Sequence, residues 1–233
     1  MVHIALVVGN SGALTAKETA IKAKVERWGW LVDVKDDGLA ADSWDPETYD
    51  GVIISQSVTS GNVTWMCDEA VGFLNYENGL MDDFDMGTGS CAIANQTDIN
   101  IVDNTHYITR HYPTGNITVT AASGWIYWSG WANDVNDLGK QVGQATRACL
   151  LEVDKGETLV GGGAAPERRV GWLIGAGTGN DIFNTDGWHL FFRALKWVCH
   201  QDFLELHRLK GRGGDARSRT RFRRRLCLPD RER

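Results

Sequence analysis

No stretch of this 233-residue chain approaches the ~20 consecutive apolar residues that a membrane helix requires. No charged-then-apolar leader opens it either, so the reading carries neither an anchor nor a signal peptide; an exported form would have lost its signal or carry it elsewhere. The five cysteines (67, 91, 149, 199 and 227) make no Cys-x-x-Cys pair and no Cys/His spacing of the zinc kind. An odd, widely spaced set is also a poor disulfide framework. Cys149 and Cys199 lie in apolar runs and read as small core residues, and Cys67 and Cys91 could pair in an oxidising compartment. Basic residues are scarce in most of the chain: residues 1–200 hold 13 Lys and Arg against 25 Asp and Glu, a net charge of −12. Such a body is a poor nucleic-acid surface.

The missing positive charge sits at the end. Residues 201–233 hold 11 Lys and Arg against 5 Asp and Glu, including Arg-Arg-Arg at 223–225. After a short apolar start at Phe203, Leu204, Leu206 and Leu209, this part has no periodicity. It reads as a basic tail, disordered or not native to the domain, against the competing reading of an arm for an anionic partner. No internal repeat and no linker precede it, which predicts one domain over residues 1–200 and a tail over 201–233.

The opening of the chain is its most informative part. His3-Ile4-Ala5-Leu6-Val7-Val8 is the apolar run of a strand buried on both faces of a parallel sheet. Gly9-Asn10-Ser11-Gly12 makes a turn, and Thr15-Ala16-Lys17-Glu18 is a capping box. Leu14, Ile21, Val25 and Trp28 follow at helical spacing, with Gly29 as the stop and Trp30–Val34 as the next strand. This βαβ start predicts a doubly wound α/β domain. Further strands are expected at Tyr49–Ser55, Val71–Tyr76, Ile99–Val102, Ile117–Thr120, Arg147–Val153 and Arg169–Gly175. Short helical spacing covers Val63–Ala70, and Glu77–Asp98 reads as irregular. A last helix, Gly187–Cys199, is expected to be capped by Asp186.

Several segments together carry a family resemblance. They are Ala-Leu-Val-Val-Gly-Asn at 5–10, Tyr-Asp-Gly-Val-Ile-Ile-Ser at 49–55, Asp-Asn-Thr-His-Tyr-Ile-Thr at 103–109, Arg-Arg-Val-Gly-Trp-Leu-Ile-Gly at 168–175, and the closing Arg-Ala-Leu-Lys-Trp-Val at 193–198. Over residues 3–200 the chain resembles the class I glutamine amidotransferase-like superfamily, in its trehalose-utilisation-like branch. The resemblance implies a flavodoxin-like three-layer sandwich with a mostly parallel central sheet. It is also similar to domains found in larger secreted bacterial proteins, which implies an extracellular or cell-surface context.

The family chemistry needs a cysteine on a Gly-x-Cys-x-Gly elbow and a later His-x-Glu. Here Asn75 stands for the first glycine, Glu77 for the nucleophile and Gly79 for the second glycine. Gly177-Thr178-Gly179-Asn180-Asp181 carries no histidine. A thiol without a positioned base stays un-ionised. The reading is therefore a non-catalytic binding or interaction domain for a carbohydrate, another small molecule or a neighbouring domain. It uses Asn10, Ser11, Ser57, Glu77, Asn78 and His106 at the C-terminal edge of the sheet.

The alternative is a hydrolase using Glu77 with His106 or a nearby Asp. Trp125, Tyr127, Trp128 and Trp131 are concentrated in one segment, where exposed rings would stack on sugars and buried ones would fill a core or an interface. No cofactor is called for. Gly9–Thr15 superficially resembles the phosphate loop of flavodoxins, but lacks its density of hydroxyls. Asp82–Gly87 resembles half of a calcium loop, with Asp83 and Asp85 as candidate ligands and no bidentate Glu; a solvated acidic loop is the competing reading.

Overall fold

The structure, a computed structural model, describes residues 1–87, 91–94, 96–121, 125–128, 134–174 and 183–202, with 91–94 and 125–128 described by backbone alone. Residues 1–202 form one compact unit. The expected basic tail beyond Asp202 lies outside the described residues, as do Trp131 and the glycine-rich 175–180.

Along the chain run β1 (His3–Val8), α1 (Ala16–Arg27), β2 (Leu31–Asp36), β3 (Gly51–Ile54), α2 (Ser60–Val63), β4 (Phe73–Asn75), β5 (Cys91–Ala94), β6 (Asp98–Ile101) and β7 (Gly115–Thr118). They are followed by β8 (Trp125–Trp128), β9 (Asn136–Gln141), β10 (Ala148–Val153), β11 (Arg169–Trp172) and α3 (Thr185–Val198). One sheet joins the strands in the order β2-β1-β3-β4-β11-β10-β9-β6-β7, with β8 pairing both β10 and β5. Five strands, β2 to β11 in that order, are mutually parallel. Every other pairing is antiparallel.

The domain is thus α/β, as expected, but its sheet is mixed rather than mostly parallel. The expectation failed because β9 (Asn-Asp-Leu-Gly-Lys-Gln) has no apolar alternation to announce it, and because β5 lies inside a stretch read as irregular.

The parallel half explains its own sequence. Ile4–Val8, all of β3 and β4, and all of β11 are buried, so these strands are largely apolar on both faces, with Asn75 and Arg169 as the polar exceptions. The capping box forms as expected: Thr15 Oγ1 accepts from Glu18 N at 3.2 Å, and Thr15 N donates to Glu18 Oε2 at 2.7 Å. Gly29 follows the helix with φ +86°, a left-handed conformation that favours glycine. The cap of α3 differs: Asn184 Oδ1 accepts from Gly187 N at 2.9 Å, while Asp186 sits exposed in the first turn.

Both long helices cover the same sheet face, where the ring of Trp28, the C-cap of α1, lies 4.2 Å centre to centre from that of Phe192 of α3. Beneath them, Tyr76, Trp172, Phe183 and Phe191 make one aromatic cluster. The opposite face is covered by short pieces. The expected 63–70 helix is one α-turn followed by a 3-10 segment, 64–68, and a second 3-10 turn runs 78–80. Buried Arg169 ties this cover down, its guanidinium donating to Phe84 O at 2.9 Å and to Cys67 O.

Candidate functional site

In open α/β sheets, ligand crevices form past the carboxyl ends of the strands where strand order reverses. Here that point lies between β1 and β3, since β2 flanks β1 on one side and β3 on the other. The loops leaving the two strands touch. Gly9 N donates to Ser57 Oγ at 2.9 Å, and a β-carbon at position 9 would sit 2.3 Å from Ser57 O, so only glycine permits the approach.

Buried Glu18 forms the floor. Its Oε1 accepts from Ser55 Oγ at 2.6 Å and from Ser57 Oγ, and its Oε2 takes the Thr15 amide. Burial pushes the carboxyl up, yet the hydrogen bonds from Ser55, Ser57 and Thr15 outweigh it and hold Glu18 below the usual carboxylate range. Asp36 is likewise held low, chiefly by the Ser11 amide at 3.0 Å and then by the Gly38 amide at 3.1 Å. Asn10 accepts from Gly12 N at 3.0 Å. The side chains of Asn10, Ser11 and Ser57 stand exposed above this framework.

The end of β4 adjoins it. Asn75 Oδ1 accepts from Glu77 N at 2.9 Å and Asn75 Nδ2 donates to Glu77 O at 2.8 Å, which locks the elbow. Glu77 Oε1 then accepts from Gly79 N at 2.8 Å and caps the 78–80 turn. Burial raises the Glu77 carboxyl, opposed by that amide. A β-carbon on Gly79 would lie 3.1 Å from Ser60 Oγ, so the loops after β3 and β4 are also in contact. Asn10, Ser11, Ser57, Glu77 and Asn78 therefore share one edge.

His106 does not. Its Nε2 lies 3.7 Å from Glu152 Oε1, and its ring meets Trp197 edge-on at 5.2 Å. Glu152 pairs with Val170, which pairs with Leu74, two strands or about 10 Å across the sheet. Glu77 is three residues, about 10 Å, beyond Leu74, past the end of β4. The pairing of Glu77 with His106 is thus not assembled; the two side chains belong to different ends of the sheet.

His106 instead joins an ionisable group at the other end. Glu152 accepts from Asn136 Nδ2 at 2.7 Å, its Oε2 has no hydrogen-bond partner, and burial pushes it up to about 8. Burial takes His106 down to about 4. Nearby, Arg168 bonds Asp154 at 3.0 Å and Asp202 at 2.8 Å. Sequence reading passed over Glu152, although a lone acid inside the apolar run Cys149–Val153 was the available signal.

The acidic loop offers no metal cage. Asp82 and Asp83 are exposed, Asp85 turns with φ +52° while its carbonyl accepts from Val160 N at 2.8 Å, and no three His, Cys, Asp or Glu converge on an ion site among the described residues. For Trp125 and Trp128 the backbone alone is placed. Trp128 is paired with Ala148, whose other edge holds Lys140 of β9, so β8 lies past the carboxyl end of β11. Cys67, Cys149 and Cys199 carry free thiols; the Cys91 side chain lies outside the described residues.

Compared with known proteins, the chain matches no family model and no curated protein.

Proposed function

We infer that residues 1–202 are a non-catalytic binding module of the amidotransferase-like superfamily, taking a neutral, hydroxyl-rich ligand of the carbohydrate class at the carboxyl edge of the parallel strands. The parallel order β2-β1-β3-β4-β11 matches the flavodoxin-like order, which supports the superfamily reading. The observation that carries the ligand class is the Glu18 carboxylate. It occupies the start of α1, where a flavodoxin-like fold would seat a phosphate, and two further carboxylates hold the flanking loops, Asp36 on the Ser11 amide and Asp37 on the Thr59 amide. An anionic ligand would meet like charge there. Sugar hydroxyls would meet the exposed amide and hydroxyl groups of Asn10, Ser11 and Ser57 and the half-buried amide of Asn78, with Trp125 and Trp128 as candidate stacking rings on the strand that borders this edge. A neighbouring domain is the other occupant this surface would admit.

The hydrolase reading keeps one favourable feature, the raised carboxyl of Glu77; with His106 at the other end of the sheet, its partner would have to be a nearby Asp. A thermal-shift series separates these readings. Neutral oligosaccharides are expected to raise the melting temperature, by about 2.7 kcal/mol of added stability at 100 times Kd, and N10A or N78A should abolish the shift. Glu77→Gln should leave it intact. Stabilisation by FMN or nucleotides alone would overturn the inference, and loss of a measurable hydrolysis in the Glu77→Gln variant would favour the enzyme.

A further inference from the structure

Between β6 and β7 the chain crosses α3 from one end to the other. At the C-terminal end of the helix, His106 packs on Trp197. In the middle, buried Arg193 donates from Nε to Ile108 O at 2.8 Å, and its guanidinium lies 4.2 Å over the Tyr107 ring. At the N-terminal end, Tyr112 Oη donates to Asp186 O at 2.9 Å. His189 Nδ1 stands 2.9 Å from the same hydroxyl, whose one proton is already given, so this nitrogen is the donor.

Two imidazoles in the segment serve as acceptors. His106 Nδ1 accepts from Ile108 N at 3.3 Å, which leaves its ring proton on Nε2, facing Glu152. His111 lies with both ring nitrogens 3.4 Å from Arg193 Nη1, a group that can only donate. The His111 ring is also 5.6 Å from that of His189.

We propose that residues 103–112 form an acid-releasable strap over α3, fastened through His106 and His111 as hydrogen-bond acceptors. Protonation turns each acceptor into a donor. At His106 an N–H then faces the Ile108 N–H, and at His111 an imidazolium faces the Arg193 guanidinium.

The surrounding groups set where this happens. His106 is faced by Glu152 from β10, Arg168 from just before β11, Asp154 from the loop after β10, Asp202 from beyond α3, and Asp103 from its own turn. His111 is faced by Arg193 and His189 from α3, with Arg110, Tyr107, Tyr112 and Asp186 nearby. Burial holds His106 down to about 4 and Glu152 up to about 8. At His106 the fastened form therefore spans neutral pH, and Glu152 stays protonated, offering no counter-charge, where His106 titrates.

Hydrogen exchange on the full chain, corrected for the intrinsic rate at each pH, tests this. Lowering the pH from 6 to 3.5 should cut protection of the 103–112 amides by about tenfold or more while β1 and β3 keep theirs. The H106Q/H111Q double variant should show no such selective loss. Should that variant fail to fold, side-chain NMR of the wild-type histidines decides: His106 must be the Nε2–H tautomer at neutral pH and titrate together with loss of strap protection. Protection lost uniformly across the domain, or a His106 that titrates near 6.5 with the strap amides still protected, overturns the proposal.

Discussion

The Glu18 carboxylate and the Ser55 hydroxyl meet at 2.6 Å across the interface of α1 and β3. One side chain thereby closes a helix cap and satisfies hydroxyls at the ends of the sheet. Glu18→Ala removes the capping partner, worth about 1 kcal/mol, and leaves buried Ser55 without its acceptor, worth about 1–3 kcal/mol. A loss of about 2–4 kcal/mol is expected in urea unfolding, with Glu18→Gln in between. Because the folded carboxyl is held low, its contribution is present above the ordinary carboxylate pKa of about 4.5 and is lost as pH falls below it. A Glu18→Ala variant as stable as wild type at pH 7 would show that the hub stabilises nothing.

Glu152 gives the opposite slope. Its folded pKa is raised from 4.5 to about 8, so its favourable contribution is complete below 4.5 and is lost as pH rises to 8, at up to about 1.4 kcal/mol per pH unit. His106, lowered from 6.5 to about 4, contributes above 6.5 and loses that contribution as pH falls toward 4. The two oppose each other between 4.5 and 6.5, and Glu152 acts alone from 6.5 to 8. Stability should therefore decline across pH 6.5–8 in wild type and flatten there in E152Q. Denaturant midpoints at half-unit pH steps check this, and an identical slope in both proteins would contradict it.

Arg168 and Asp202 make a buried ion pair at 2.8 Å, with Arg168 also stacked 4.7 Å over Trp197. Removing one member of such a pair strands the other, at about 3–5 kcal/mol when no partner remains. Asp154 still holds Arg168 Nε, so D202A should cost less, about 2–3 kcal/mol. A chain ended after Asp202 should unfold at the urea concentration of the full chain, whereas one ended after His200 should unfold earlier. Equal midpoints for the two truncations would remove Asp202 from the folded unit.

These pairs mark where the sequence was legible. The first 34 residues announced themselves because strand, cap and helix stop are local events: Thr15 and Glu18 are three apart, and Gly29 needs no distant partner. The same locality exposed β3, β10 and β11 as apolar runs. β9 stayed hidden because Asn136–Gln141 is held by register with β10 and β6 rather than by its own composition. The candidate edge was half legible for the same reason. Asn10, Ser11, Ser57 and Glu77 follow strands whose order the βαβ pattern implies. His106 follows β6, in the antiparallel half that no local signal located, and its partner Glu152 lies 46 residues away.

The thiols give a final test, bearing on whether cysteine chemistry has any place in this fold. A nucleophilic cysteine needs a lowered pKa from a helix start, a cation or a base. Burial instead raises Cys67 to about 12, with Arg169 opposing and Asp83, Asp68 and Asp85 adding to it. Cys149 and Cys199 are fully enclosed and are raised further still by that enclosure. At pH 8 roughly one Cys67 in ten thousand would be thiolate, against about one in four for a free thiol. Peptide-resolved mass spectrometry of iodoacetamide labelling should find Cys67, Cys149 and Cys199 modified at least about a thousand times more slowly in the native chain than in urea. The Cys67 rate should rise about tenfold per pH unit above 8. A native Cys67 that labels as fast as the unfolded chain would place a reactive thiol among the described residues.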